Sequence, residues 1–185
     1  MTYALTRTVF EEQIRLHVSE TRVGEIRAAV RGVLDTVSIE EKFNLVLENF
    51  EEFERELLDG ALSRSLFEIH DWSTQMNDLH RLNRRLVNLL ATCRLYVDQV
   101  PHSLSSLFGS DSAIATAFAA AKSREYDSKL GYRVLEAMRN YIQHRSLPIH
   151  ALSYYSNSRQ QPSGSLSEHT LTAEIHPQEY REDGK

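Results

Sequence analysis

The stretch from Leu79 to Val100 constrains the fold most. Leu79, Leu82, Leu86, Leu89, Cys93, Tyr96 and Val100 follow one another at steps of three and four. Only a helix gathers such positions on one side, and a seam of this kind packs against neighbouring helices at shallow angles. The spacing predicts a helix from roughly Asp71 to Gln99, on the order of 40 Å long. Pro101 should stop it, because the ring clashes with the preceding turn. A helix this long serves as a spine, and the chain around it should be a bundle.

Five further segments carry helical spacing. Phe10, Ile14 and Val18 predict a short helix over about Leu5 to Val18. Val23, Ile26, Val30, Val33 or Leu34, and Val37 predict a second, in which Gly24 and Gly32 each weaken the helix by about 1 kcal/mol relative to Ala. Packing therefore has to hold it. Ser38 with Glu41 three residues on reads as a capping box. It opens a helix to about Leu58 with Ile39, Phe43, Val46, Phe50, Phe53 and Leu57 on one side, ended by Asp59-Gly60. Asp111 or Ser112 can cap a shorter helix through Ile114, Ala117, Phe118 and Ala121. The last helix runs towards Pro148 with Leu130, Val134 or Leu135, Met138, Tyr141 and Ile142 inward. Beyond Ser153, Ser, Asn, Gln, Pro and Gly dominate and read as a linker. Thr170 to Ile175 alternates only weakly, like a strand. The expectation is an all-α fold, an antiparallel bundle of four to five main helices over residues 1–153. Residues 154–185 would form a polar, flexible C-terminal extension, read as the start of a further segment.

Charge narrows the function. A net charge of −5 argues against broad nonspecific affinity for nucleic acid, which depends on neutralising phosphates. The distribution is uneven. Eight acids lie between Glu40 and Asp59, whereas six bases lie between Lys122 and Arg145 against Glu125, Asp127 and Glu136. A locally positive surface can attract a phosphate. The longest apolar runs are too short to span a bilayer. Cys93, the one cysteine, sits in the apolar seam and reads as a small buried hydrophobe rather than a nucleophile, which suits a cytoplasmic setting.

The last helix carries Arg139-Asn140-Tyr141-Ile142-Gln143-His144 just ahead of a predicted break. Bare Arg-to-His spacing says little, since Arg64 with His70 and Arg145 with His150 match it too. The setting singles out Arg139, through the Asn directly after it, the amphipathic helix leading in and the Pro beyond. An Arg, a polar residue and a His four to six positions on, late in a bundle helix, resemble the signature of HEPN domains, the higher eukaryote and prokaryote nucleotide-binding family. The resemblance implies an antiparallel helical bundle and, in active members, metal-independent endoribonuclease chemistry. There the motifs of two chains meet at a dimer interface. Toxins and anti-phage effectors are settings that the family supplies, and an antitoxin or nucleotidyltransferase-like protein is the kind of partner it implies.

In such a site the RNA brings its own nucleophile, the 2′-hydroxyl. His144 would act as base or acid, and Arg139 would hold the phosphate through paired donors. Asn140 would orient the phosphate or His144, while Lys129, Arg133 and Arg145 would guide the RNA backbone. The products would be 2′,3′-cyclic phosphate and 5′-hydroxyl ends, with no cofactor or metal and no membrane. One chain supplies one such His, so the expected assembly is a homodimer through the motif helix. A rival stands beside this. Arg139 can pair with Glu136 one turn back, and a His near a helix C-terminus is favoured by the dipole. The chain would then be a non-catalytic bundle that binds a protein partner or a nucleotide. Inward Glu-x-x-His pairs, Gly-rich phosphate loops and a Gly-x-Ser-x-Gly elbow are absent.

Overall fold

Two long helices lie antiparallel, and a β-hairpin stands at each end of the chain. The computed structural model describes residues 3–9, 12–67, 71–162 and 164–176. The order is β1 (Tyr3–Val9), β2 (Glu12–Val18), α1 (Glu20–Phe67), α2 (Trp72–Phe108), α3 (Ala113–Ser128), α4 (Leu130–His144), β3 (Ala151–Gln161) and β4 (Gly164–Glu174). Both sheets are two-stranded and antiparallel. No helix among the described residues is long and apolar enough to cross a membrane.

The hairpins overturn the all-α expectation. The first replaces the predicted helix over Leu5 to Val18, with Tyr3 opposite Val18 and Val9 opposite Glu12; Phe10 lies outside the described residues. Residues 10, 14 and 18 share parity as well as helical spacing, so they fit one face of a strand equally well. The second hairpin takes the place of the expected extension up to Glu174, pairing Ala151 with Glu174 through Gln161 with Gly164, and residues 177–185 lie outside the described residues. Only its base packs. Leu152 and Tyr154 on β3 and Leu171 and Ala173 on β4 join the core, while residues 155–160 and 164–170 are exposed. Strands wet on both faces need polar side chains, and that composition reads as a linker.

Two helix boundaries also move. α1 is one helix of 48 residues, about 72 Å long, where the sequence suggested two. Ser38 lies inside it and receives Lys42 on its carbonyl at 3.0 Å instead of capping a new helix. Gly60 does not end it either. It is buried, and a Cβ there would stand 3.0 Å from Leu171 Cδ2, so the missing side chain seats the C-terminal hairpin. α2 passes through Pro101 to Phe108. Burial of Val100 and Leu104 on either side outweighs the backbone hydrogen bond that the proline loses. The caps follow local chemistry. Asp71 accepts from the Thr74 amide at 2.9 Å and Ser112 from the Ala115 amide at 3.3 Å.

The core forms where α1, α2, α4 and the base of the second hairpin meet. Leu82, Leu86, Leu90, Met138, Ile149 and Leu152 are buried together, with Phe53, Leu57, Leu79 and Ile142 packed against them. Two polar fasteners join α2 to the chain beyond α4. Asn83, 1% exposed, donates from Nδ2 to the Ile149 carbonyl at 2.9 Å and accepts the Ile149 amide on Oδ1 at 3.0 Å. Asp78 accepts from Arg64, Arg81 and the Tyr154 hydroxyl at 3.4, 2.8 and 3.2 Å.

Candidate functional site

α4 presents two of the three motif residues, Asn140 and His144, along one exposed flank. Met138 and Tyr141 are buried and fix the inward side. At 100° per residue, Arg133, Asn140 and His144 fall within roughly 40° of one another on the outward side, and Lys129 is the extended residue that precedes the helix. All four are exposed. Arg139 lies away from them, about 140° and 7.5 Å of rise from His144 on a regular helix. The helix stays regular to its end: His144 is its last residue, and the Arg145 amide closes it on the Tyr141 carbonyl at 2.8 Å. The chain therefore leaves the helix four residues before Pro148, which is buried. Arg145 itself is exposed beyond the last turn.

Arg139 is tied to the flank through its neighbour. Its Nη1 donates to Asn140 Oδ1 at 3.0 Å. The pairing with Glu136 that the sequence allowed does not form; Arg94 of α2 stands near Glu136 at 3.7 Å and also meets Asp98 at 2.6 Å. Among the described residues no carboxylate pairs with Arg139. The guanidinium keeps donors for an anion.

The other side of Arg139 borders an apolar groove of about 240 Å³ between α1, α2 and α4. Phe43, Val46, Leu90, Cys93, Tyr132 and Leu135 supply most of its wall. Burial pushes the Cys93 thiol up from its ordinary range, which suppresses the thiolate. Native protein should therefore react with a charged aromatic disulfide at least ~10-fold more slowly than urea-unfolded protein, followed by thiolate release. Equal rates would place Cys93 in open solvent.

One group near α4 escaped the sequence. His150 stacks on His176, ring centroids 4.9 Å apart, and accepts the His176 amide on Nδ1 at 3.1 Å. Its Nε2 lies 3.5 Å from the Tyr141 hydroxyl. Nδ1 as acceptor puts the proton of a neutral ring on Nε2, towards Tyr141. Only the register of the second hairpin, which places the ends of β3 and β4 together, brings residue 176 to residue 150. No local spacing signals it. No group of three or more His, Cys, Asp or Glu side chains among the described residues is placed to hold a metal ion.

No protein-family model, curated protein or solved structure matches this chain.

Proposed function

We propose that the chain is a metal-independent endoribonuclease of HEPN type, cutting RNA at a site completed by two copies. One observation carries the reading: Arg139 is held by Asn140 and pairs with no carboxylate among the described residues, while His144 stands exposed on the same flank as Asn140. An anion reaching this flank meets an oriented guanidinium and an accessible imidazole.

Each group has a step it can perform. The RNA 2′-oxygen attacks the adjacent phosphorus as His144 takes its proton. The bond from phosphorus to the 5′-oxygen breaks, and that oxygen takes a proton from the partner's His144. Arg139 stabilises the charge that gathers on the phosphoryl oxygens in the transition state. An imidazole suits both proton transfers near neutral pH. Lys129 and Arg133 extend the flank towards the start of α4, where they would contact neighbouring phosphates. Arg139 and His144 diverge on a regular helix, so apposition of two α4 flanks is what gathers a complete set. The products carry 2′,3′-cyclic phosphate and 5′-hydroxyl ends. A toxin or phage-defence role, restrained by an antitoxin or nucleotidyltransferase-like protein, belongs to the same proposal and rests on the family resemblance.

That divergence also favours a second reading, a non-catalytic bundle whose α4 flank binds a protein or nucleotide. Cleavage of diverse RNAs in EDTA separates the two. The nuclease reading expects cyclic phosphate ends and a fall in rate of about 10²-fold or more in His144→Ala. Arg139→Ala should also fall steeply, with helix content and mass unchanged in both. Cleavage that survives both substitutions removes the site, and a wild-type chain that cuts none of the RNAs leaves the binding reading.

A further inference from the structure

Because α1 is continuous, its two apolar stripes do not face the same way. At 100° per residue the stripe Val23, Ile26, Val30, Val33, Val37 lies roughly 160° around the helix from the stripe Ile39, Phe43, Val46, Phe50, Phe53, Leu57. The second stripe faces α2, as the contact of Phe43 with Tyr96 shows. The first therefore faces away from the body. Val30, Val33, Leu34 and Val37 are 52%, 62%, 62% and 42% exposed. Phe43 with Tyr96 and Glu52 with Arg85 set the antiparallel alignment of α1 and α2. On that alignment the end of α2, Phe108, comes level with about Val30, and the first turns of α1 extend beyond it.

This segment is poorly suited to stand alone. Gly24 and Gly32 disfavour helix, and neither has a neighbour within 4 Å that would require a glycine. A helix that keeps two such residues and an outward apolar stripe gains its stability from packing. The steps of three, four, three and four are those of a two-stranded coiled-coil seam, with Val23, Val30 and Val37 at one core position and Ile26 and Val33 at the other.

We propose that the partner on this seam is α1 of a second copy, running antiparallel. Charge decides the direction. The first half of the segment carries Arg22, Arg27 and Arg31 against Glu20 and Glu25, and the second carries Asp35, Glu40 and Glu41 against Lys42. Antiparallel pairing centred between Val30 and Val33 sets Val30 level with the partner's Val33 and Ile26 with the partner's Val37. The net-positive first half then lies along the partner's net-negative second half, and Arg22 falls on the same flank as the partner's Glu40, within one residue of level. Parallel pairing would instead bring Arg22 against the partner's Arg27, two like charges flanking the seam. The contact is isologous and pairs two copies through a face separate from the α4 flank. It lies across α1 from the groove beside Arg139 and does not rest on the nuclease reading.

Disulfide trapping in the full chain tests it, with Cys93→Ser as background. Mixed Ile26→Cys and Val37→Cys chains should cross-link on mild oxidation, and neither should do so unmixed, because like positions would lie about 16 Å apart along the antiparallel pair. Val30→Glu with Val33→Glu should lower the mass of the particle by roughly twofold or more in light scattering, at unchanged helix content. The inference is overturned by a wild-type chain that is monomeric at tens of micromolar, by an unchanged mass in the double variant, or by cross-links confined to the unmixed samples. None of these readouts depends on RNA cleavage.

Discussion

Asp78→Ala is expected to lower the stability of the fold by about 3–5 kcal/mol, the effect of stranding one partner of a buried ion pair. The side chains of Arg64 and Asp78 are each only 9% exposed. Without the carboxylate, the Arg64 guanidinium is left with the Tyr154 ring, 3.8 Å from its centre, and the Tyr154 hydroxyl loses its acceptor. Arg81 contributes little to this loss. It is half exposed and keeps Glu56 at 3.0 Å. Urea unfolding should show a lower midpoint at unchanged slope. Asp78→Leu combined with Arg64→Met should recover most of the loss, since a buried pair is often matched by apolar groups of similar volume. If Asp78→Ala alone unfolds like wild type, Arg64 must reach water. The cluster also gives an alkaline limit. Burial first, and the Asp78 carboxylate second, push the Tyr154 hydroxyl up from its ordinary value. The neutral form is favoured in the fold, so its stabilising effect is whole below the unfolded tyrosine pKa of about 10 and is lost as pH rises towards the folded value.

Asn83→Ala should be nearly as damaging. Both backbone groups of Ile149, a residue 3% exposed, depend on the Asn83 amide. Leaving a buried donor or acceptor unsatisfied costs about 1–3 kcal/mol for each group. The Ile149 amide should lose its protection against hydrogen exchange together with the fall in unfolding midpoint. Asn83→Asp separates the two bonds, because it keeps the acceptor for the Ile149 amide while removing the donor and burying a charge. It should be no more stable than the alanine variant. A protected Ile149 amide in Asn83→Ala would mean that another acceptor serves it.

The helices were legible where burial is one-sided. The α2 seam repeats at three and four over three heptads, and α4 shows the same regularity, so the flank carrying Asn140 and His144 could be placed from spacing alone. The hairpins were not legible, for two physical reasons. Residues 10, 14 and 18 satisfy both periods, and β3 and β4 lack an apolar face along most of their length. Boundaries failed where tertiary contact outweighs local preference. Gly60 is a packing site for Leu171 rather than a helix end, and Pro101 is carried by the buried residues around it. At the candidate site the sequence offered Glu136 to Arg139. It could not show that Arg94, more than forty residues earlier, stands beside that carboxylate.

The seat beneath the second hairpin also sets an order of events during synthesis. α1 and α2 are neighbours along the chain, and the ion pairs of Glu52 and Glu56 with Arg85 and Arg81 can form as soon as both helices have left the ribosome. Leu82 and Leu86, however, are completed by Ile149 and Leu152, and Gly60 by Leu171. The helical pair must therefore wait, with an open apolar seat and an Arg64 not yet covered by Tyr154, until β4 has emerged. Contacts between such distant residues form slowly and leave sticky surface exposed meanwhile. The nascent chain is most in need of a chaperone in the interval between the appearance of α2 and that of Ala173.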